Sequence, residues 1–160
     1  MDLSGVDSTL QTIMRVLGVD DGLRRVGLAV SDPTGTLARP VETIAGDRNP
    51  AVAARAIVEA IARLERDDEP IAIIVVGLPL RLDGTPNDQT SHAQAMAAEL
   101  RRLGGFEVVL QDERLTSHEA EGRLAMRERD WRVRKRRLDA AAAAVILQEF
   151  LDARPKGERR

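Results

Sequence analysis

The sequence predicts an α/β fold in which helices flank a mixed five-stranded sheet. Three short strand patterns joined by turn residues occupy the beginning of the chain, up to residue 44, and hairpins are the simplest way to connect them. From residue 51 onward, helical and strand patterns alternate, which is typical of parallel strands joined by helices. A hairpin-rich beginning followed by this alternation favours a mixed sheet.

The strands are predicted from apolar runs that end in turn residues. Residues 71–77 form the most hydrophobic run, IAIIVVG, and such an uninterrupted run indicates a strand buried on both faces. Pro40 lies in the third run; because proline cannot donate to a ladder, this strand should lie at an edge or contain a bulge. The predicted strands are residues 15–20, 26–32, 37–44, 71–77 and 106–112.

The helices are predicted from apolar side chains that recur every three and four residues. Ile57, Ile61 and Leu64 show this spacing in the first helix. Asp88 has the residue type of an N-cap for the second helix, which Gly104 and Gly105 end. The predicted helices are residues 51–66, 89–103, 117–127 and 138–152.

Length and composition predict one domain over residues 15–152, with a flexible extension over residues 1–14 and a basic tail over residues 153–160. The absence of cysteine excludes disulfides and thiolate metal sites. The sequence has neither a secretory signal nor an apolar run long enough for a membrane span. We therefore expect a cytoplasmic protein with no membrane partner, either a monomer or a homodimer.

The net charge of −2 conceals an asymmetry along the chain. Residues 1–116 carry a net charge of −6, whereas residues 117–160 carry +4. The densest basic patch, at residues 128–137, has six basic and two acidic side chains. Such a patch can neutralise phosphates and suggests a nucleic-acid partner, although a solvated helix end would have the same composition.

Acidic residues follow two of the predicted strands. Asp20 ends the first strand on the same face as Val16 and Gly18. A buried carboxylate there needs a partner; a turn can supply backbone N–H groups, which is the interpretation we favour for Asp21 beside Gly22.

The second acidic pair is Asp112 and Glu113, after the fifth strand. These neighbours would point in opposite directions, and their spacing does not decide which one faces Asp20. A third acid, Asp139, opens the last predicted helix in line with an apolar stripe. The stripe consists of Ala142, Ala143, Ile146 and Phe150.

Three carboxylates that meet at one sheet edge would suit Mg²⁺ or Mn²⁺, because hard cations prefer oxygen ligands. Phosphodiester cleavage needs an activated water and a stabilised leaving alkoxide, and two divalent ions about 4 Å apart provide both. Zinc is disfavoured because there is no cysteine and only two histidines. We interpret His92 and His118 as ordinary surface or helix-end residues.

Basic and hydroxyl residues beside these acids would then bind the substrate. Trp131 could stack on a base, although covering apolar surface is the commoner role. The predicted substrate-binding residues are Arg25, Arg114, Thr116, Arg134, Lys135 and Arg136.

Four segments resemble, in order, the motifs of the YqgF/RuvX-type Holliday-junction-resolvase-like family of pre-16S rRNA nucleases. They are LGVDDGLRRVGLAVSDPTGTLARPVETI, VVGLPLRLDGT, DERLTSHEAEGRL and LDAAAAAVILQEFLD. The resemblance covers residues 15–152. It implies a ribonuclease-H-like fold and a divalent-metal nuclease that processes the 5′ end of 16S rRNA in the bacterial cytoplasm, where ribosomal particles are further partners.

The resemblance also assigns the acids. The family's three catalytic, metal-binding acids fall on Asp20, Glu113 and Asp139, and the choice of Glu113 over Asp112 rests on this resemblance. Asp21 and Leu23 depart from the pattern: the family usually has an uncharged residue at the first position and a small hydroxyl residue at the second. The effect of these departures on metal and phosphate contacts stays open.

Three alternative functions remain at this point. Resolution of branched DNA keeps the chemistry and changes the substrate. A nucleic-acid-binding factor without catalysis, in transcription or ribosome assembly, would use the same basic patch. A nucleotide phosphotransferase is disfavoured, because such enzymes generally need a second domain to close over the nucleotide.

Overall fold

A five-stranded mixed sheet in the order β3-β2-β1-β4-β5 forms the centre of the molecule. The structure is a computed structural model that describes residues 14–66, 68–112 and 131–154, with the backbone alone for residues 131–138. The strands are β1 (Arg15–Asp21), β2 (Arg25–Ser31), β3 (Ala38–Ala45), β4 (Ile71–Leu78) and β5 (Glu107–Asp112). The predicted mixed sheet is confirmed.

The first three strands form an antiparallel meander, whereas β4 and β5 run parallel to β1. Strand β3 lies at the sheet edge. Its register shifts opposite β2, because Leu28 pairs with Glu42 while Ala29 pairs with Pro40. Pro40 therefore lies both at an edge and beside a bulge, the two places where its missing N–H costs no ladder bond.

Three helices are described: α1 (Pro50–Leu64), α2 (Asp88–Leu103) and α3 (Trp131–Ala153). Asn87, and not Asp88, caps α2, because its side chain accepts from the backbone N–H groups of Gln89 and Thr90. The predicted helix over residues 117–127 lies outside the described residues.

The last helix is longer than predicted. It begins at Trp131 and includes the basic run, which the sequence pattern places before the helix. Arginine and lysine are good helix formers and no proline or glycine interrupts the run, so the helix extends through it. The apolar stripe predicts the part of α3 that packs on the sheet, but not the residue at which the helix begins.

The sheet is covered on both faces. Helices α1 and α2 pack on one face, where Leu17 and Val19 of β1 join the larger hydrophobic core. Helix α3 packs on the other face, where Val16 contacts a smaller cluster of Ala143, Ile146, Leu147 and Leu151. The alternation of β1 thus sends consecutive side chains to opposite layers.

Arg15 anchors the start of β1. Its buried guanidinium donates to the carbonyl of Leu64 at 2.9 Å and to that of Glu69 at 2.8 and 2.9 Å. These bonds tie β1 to the connection between α1 and β4. Among the described residues, no helix has the length and apolarity that crossing a membrane requires.

Candidate active site

Two glycines allow α3 to lie directly on the central strands. A Cβ atom at Gly18 of β1 would lie 2.7 Å from the Cβ of Leu147 and 2.8 Å from the carbonyl oxygen of Ala143. A Cβ atom at Gly27 of β2 would overlap the carbonyl group of Asp139. Any larger residue at either position would push the helix away from the sheet.

This close approach brings Asp20 and Asp139 together. Asp20 lies directly opposite Gly27 in the antiparallel pair of β1 and β2, and directly opposed residues share one face of a sheet. Because the backbone of Asp139 rests on Gly27, Asp20 and Asp139 lie beside each other on the α3 face. Asp20 is partly exposed and the Asp139 side chain is 23% exposed, so both acids are accessible from solvent.

Asp139 does not open its helix, as the sequence suggested, but is the ninth residue of α3. Its position in line with the apolar stripe is confirmed, since Ala142, Ala143 and Ile146 are buried and Phe150 is partly buried against the sheet. A residue this far from the N-terminus gains little from the helix dipole, which acts within the first turn. Packing against Gly27 therefore sets the position of Asp139.

Arg25 forms an ion pair with Asp139. The Nε atom of Arg25 donates to Oδ2 of Asp139 at 2.8 Å. Arg25 begins β2, just after the turn that follows Asp20 and Asp21, and its side chain is 32% exposed. The structure thus gives Arg25 a carboxylate partner, Asp139, and substrate binding by Arg25 stays a prediction.

A cleft of about 300 Å³ adjoins this ion pair. It lies where the β1–β2 turn, the first turn of α2 and α3 meet. Its lining residues are Gly22, Leu23, Arg24, Arg25, Gln89 and Asp139. The cleft therefore offers cationic and amide donors beside one of the two neighbouring acids.

Asp21 occupies the opposite face of the sheet from Asp20 and is buried. Its Oδ2 atom lies 2.6 Å from Nδ1 of His92, and Nε2 of His92 lies 2.7 Å from the carbonyl oxygen of Asp47. Burial raises the pKa of the Asp21 carboxyl, while the hydrogen bond and charge of His92 act in the opposite direction.

The interpretation of Asp21 as a turn residue is therefore wrong, and so is that of His92 as an ordinary surface or helix-end residue, because His92 is buried in the second turn of α2. Asp21 is the last residue of β1 and not part of the turn. The missed signal was the pattern of α2, where His92 lies four residues before Met96 on the buried side of the helix.

The relatives that this chain matches in sequence belong to the family that its motifs resemble. A family model described as "RuvX: Holliday junction resolvase" matches residues 14–153. This chain belongs to the RuvX family. A relative from Salinibacter ruber, named "Putative pre-16S rRNA nuclease", is 43% identical over 91% of this chain and 97% of its own. A relative of the same name from Anaeromyxobacter sp. (strain K) is 45% identical over 88% of this chain and 98% of its own.

A solved structure gives the same fold. RuvC of T. thermophilus, in a complex with a Holliday junction substrate, matches with a TM-score of 0.50 and 17% identity, over 88% of this chain and 94% of that chain. The predicted ribonuclease-H-like fold is confirmed by this likeness. The RuvX family description and the nuclease relatives imply a hydrolase that acts on phosphodiester bonds, with nucleic acid as its substrate. Nucleases of the RuvC and RuvX type generally depend on divalent metal ions.

Asp112 lies on the opposite face of the sheet from Asp20 and Asp139. Val108 and Leu110 of β5 pack into the core beneath α1 and α2, and alternation places Asp112 on that same face. Asp112 is exposed at the end of β5. Asp20 and Asp139 lie on the other face of the sheet, which α3 covers.

The remaining predicted RuvX site residues are only partly described. Glu113, Arg114, Thr116 and His118 lie outside the described residues. Arg134, Lys135 and Arg136 lie in the first two turns of α3, where the structure describes the backbone. Within the described ranges no three acidic or histidine side chains form a group that could hold a metal ion, so a three-acid site remains a prediction that includes Glu113.

Proposed function

We propose that this RuvX-family protein is a divalent-metal-dependent endonuclease that processes the 5′ end of precursor 16S rRNA. The observation that carries the proposal is the contact of Asp139 with Gly27, which lies opposite Asp20. Two partly exposed acidic residues from distant parts of the chain thereby lie on the same face of the sheet, at neighbouring positions. The names of the relatives supply the substrate.

The donor chemistry of the site fits Mg²⁺ or Mn²⁺. Asp20 and Asp139 offer carboxylate oxygens, which these hard cations prefer, and both stay accessible enough for an ion to keep several waters. We assign Asp20, Asp139 and Glu113 as the metal-binding and catalytic acids. Alternation in β5 supports Glu113, because Asp112 belongs to the face of Val108 and Leu110.

Bound divalent ions would supply Lewis-acid stabilisation of the phosphodiester and a nucleophile at neutral pH. The protein's own contribution is placement. Gly18 of β1 and Gly27 of β2 fix how closely α3 approaches these two strands, and the ion pair with Arg25 fixes the orientation of the Asp139 carboxylate. Arg25 retains other N–H groups that can donate to a substrate phosphate.

The basic first turns of α3 would hold the flanking RNA backbone. Lys135 and Arg136 precede Asp139 by four and three residues, which places them one helical turn before it. We propose Arg134, Lys135 and Arg136, together with Arg114 and Thr116, as phosphate-binding residues. Such contacts report no base sequence and weaken as salt rises.

The remaining predictions follow from this function. We expect residues 15–152 to form the nuclease domain, between the extension of residues 1–14 and the tail of residues 153–160. The protein would act in the cytoplasm on precursor ribosomal particles, as a monomer or a homodimer.

The decisive experiment replaces one acid at a time. Asp20→Asn keeps the side-chain shape and removes the charge, so metal-dependent cleavage of precursor 16S rRNA should fall by at least about a thousandfold while RNA binding and the melting temperature change little. Glu113→Gln should behave in the same way. Asp112→Asn, one residue away on the opposite face, is the matched control and should cleave at the wild-type rate.

Two results would overturn the assignment. Wild-type cleavage by Asp20→Asn would remove Asp20 from the site. Loss of cleavage in Asp112→Asn with an active Glu113→Gln would exchange the two acids of β5.

The family description favours a second substrate, the Holliday junction. The same site can hydrolyse DNA phosphodiesters, because the metal acids contact the scissile phosphate and not the bases. Precursor 16S rRNA and a synthetic four-way DNA junction should be compared at matched protein, metal and salt concentrations. Metal-dependent products from the junction alone would move the assignment to branched DNA.

A further inference from the structure

A buried polar bridge lies directly behind Asp20. The bridge consists of the Asp21 carboxylate, the His92 imidazole and the carbonyl of Asp47, joined by contacts of 2.6 and 2.7 Å. Asp21 is 5% exposed and His92 8% exposed. The Asp47 carbonyl can only accept, so Nε2 of His92 donates to it, and Nδ1 shares a proton with Asp21.

The bridge joins three segments at one edge of the sheet. Asp21 ends β1, His92 lies in the second turn of α2, and Asp47 belongs to the loop between β3 and α1. Thr90, two residues before His92 on α2, donates its hydroxyl to the carbonyl of Pro79 just after β4. The start of α2 is therefore bonded to the ends of both β1 and β4.

The end of β1 is where such support matters most. The pairing of β1 with β4 ends at Val19 and Val76, whereas its pairing with β2 continues to Asp21 and Val26. The last two residues of β1 thus extend beyond the parallel ladder. His92 holds the second of them from the opposite face of the sheet, one residue after the acid Asp20.

Stability alone explains the bridge poorly. Oδ1 of Asp21 is buried and has no hydrogen-bond partner among the described residues, which is costly for a carboxylate. Two apolar side chains of similar volume often match or exceed the stability of a buried polar pair. What they cannot reproduce is the fixed direction that two short hydrogen bonds impose.

We propose that His92 is a positioning residue for phosphodiester cleavage, which fixes the end of β1 through Asp21 and Asp47 so that Asp20 meets the metal ion in the productive geometry. This inference rests on the proposed function of the site. His92 touches neither substrate nor metal; it acts through Asp21. Shifts of the catalytic geometry by about 1 Å are enough to cost about a hundredfold in rate.

The test uses substitutions that retain one link at a time. The amide nitrogen of His92→Asn can replace Nδ1 and keep the bond to Asp21, whereas that of His92→Gln can replace Nε2 and keep the bond to Asp47. The double variant Asp21→Val/His92→Leu removes the bridge and leaves an apolar pair. Arg101→Met is the matched control, because it removes an α2 bond to the carbonyl of Val108, at the other end of the helix.

Each variant should be measured for melting temperature, for Mn²⁺ affinity by calorimetry, and for kcat and KM on precursor 16S rRNA. We expect the double variant to melt at or above the wild-type temperature, yet to lose about tenfold or more in both kcat and Mn²⁺ affinity, with KM within about twofold of wild type. His92→Asn should retain more of kcat than His92→Gln. Arg101→Met should lose stability and keep both functional values.

The outcomes separate the two proposals. If the wild type cleaves and the double variant retains wild-type kcat and Mn²⁺ affinity, His92 is only structural and the inference is wrong. If the wild type neither binds Mn²⁺ nor cleaves with any metal, the proposed function fails and the positioning role fails with it.

Discussion

Asp20 and Asp21 are adjacent in sequence and chemically identical, yet they lie in opposite layers of the molecule. Asp20 lies on the α3 face, partly exposed and beside Asp139. Asp21 lies on the face of α1 and α2, buried against His92. Strand alternation alone separates them, so their neighbours, and not their residue type, determine what each carboxylate can do.

The two faces also achieve their packing differently. On the face of α1 and α2, the core is built from large aliphatic side chains such as Leu17, Ile57 and Met96. On the α3 face, at Gly18 and Gly27, the backbone of the helix meets the backbone of the strands. Both arrangements are close-packed. A clash with a side chain can be relieved by a rotamer change, whereas a clash with the helix backbone at Gly27 can be relieved only if the helix or the strand moves.

Gly27→Ala should have the largest effect, because its new Cβ would overlap the carbonyl group of Asp139 and a backbone cannot rotate away as a side chain can. We expect a loss of about 3 kcal/mol or more in the free energy of unfolding, together with loss of cleavage because Asp139 moves from Asp20. Urea unfolding and the cleavage assay measure the two effects.

Gly18→Ala is the graded comparison for Gly27→Ala. The new Cβ atom would lie 2.7 Å from the Cβ of Leu147. When Gly18→Ala is combined with Leu147→Ala, that Cβ stays in place and the space beyond it is emptied. The single substitution should cost about 2 kcal/mol and lower cleavage less than Gly27→Ala does. Equal activity in Gly27→Ala and wild type would show that the helix position does not control the site.

Arg15→Met tests the other end of β1. It leaves the carbonyls of Leu64 and Glu69 without the donor that holds them, and we expect a loss of about 2 kcal/mol in stability. Since Arg15 is remote from Asp20 along the strand, Mn²⁺ affinity and kcat below the melting temperature should stay unchanged. A fall in Mn²⁺ affinity equal to that of the His92 variants would mean that any loosening of β1 disturbs the site.

The sequence predicted the layers of this fold better than its contacts. Apolar periodicity located all five strands and two helices within a few residues, since burial imposes the pattern directly. The basic beginning of α3 and the cap at Asn87 were missed, because helix propensity and local hydrogen bonding decide them and neither leaves an apolar pattern.

For the site, the sequence indicated that Asp20 and Asp139 belong together, but not why. Their proximity depends on Gly27, a residue that carries no functional group. The pairing of Asp21 with His92 joins residues 71 positions apart, and no local pattern specifies such a contact. The family motifs therefore suggested the acids, whose role as metal ligands stays a prediction, and the packing at Gly27 explains why Asp20 and Asp139 lie on one face.

Arg25→Gln should affect activity more than stability. The ion pair with Asp139 is partly exposed, so its loss should change the free energy of unfolding by no more than about 1 kcal/mol. If Arg25 also donates to the scissile phosphate, cleavage should fall by about ten- to a hundredfold. Arg25→Lys, which keeps the charge without the planar fork, should give an intermediate rate.

The salt dependence of RNA binding distinguishes the two roles of Arg25. Loss of a phosphate contact lowers the slope of log affinity against log salt by about one unit. An unchanged slope with reduced cleavage would restrict Arg25 to holding the Asp139 carboxylate.

Gln148→Ala should have the smallest effect and tests whether α3 is held locally or as a whole. The Gln148 side chain accepts from the N–H of Ala38 and donates to the carbonyl of Thr36, both at 2.9 Å, and so ties α3 to the start of β3. Because the site is partly exposed, its loss should cost about 1 kcal/mol. The glycine contacts, and not this bond, place Asp139, so Mn²⁺ affinity and cleavage should match wild type. A fall in Mn²⁺ affinity beyond about threefold, or about 0.7 kcal/mol, would instead mean that α3 shifts as one rigid rod and that Gly18 and Gly27 alone do not fix the acids.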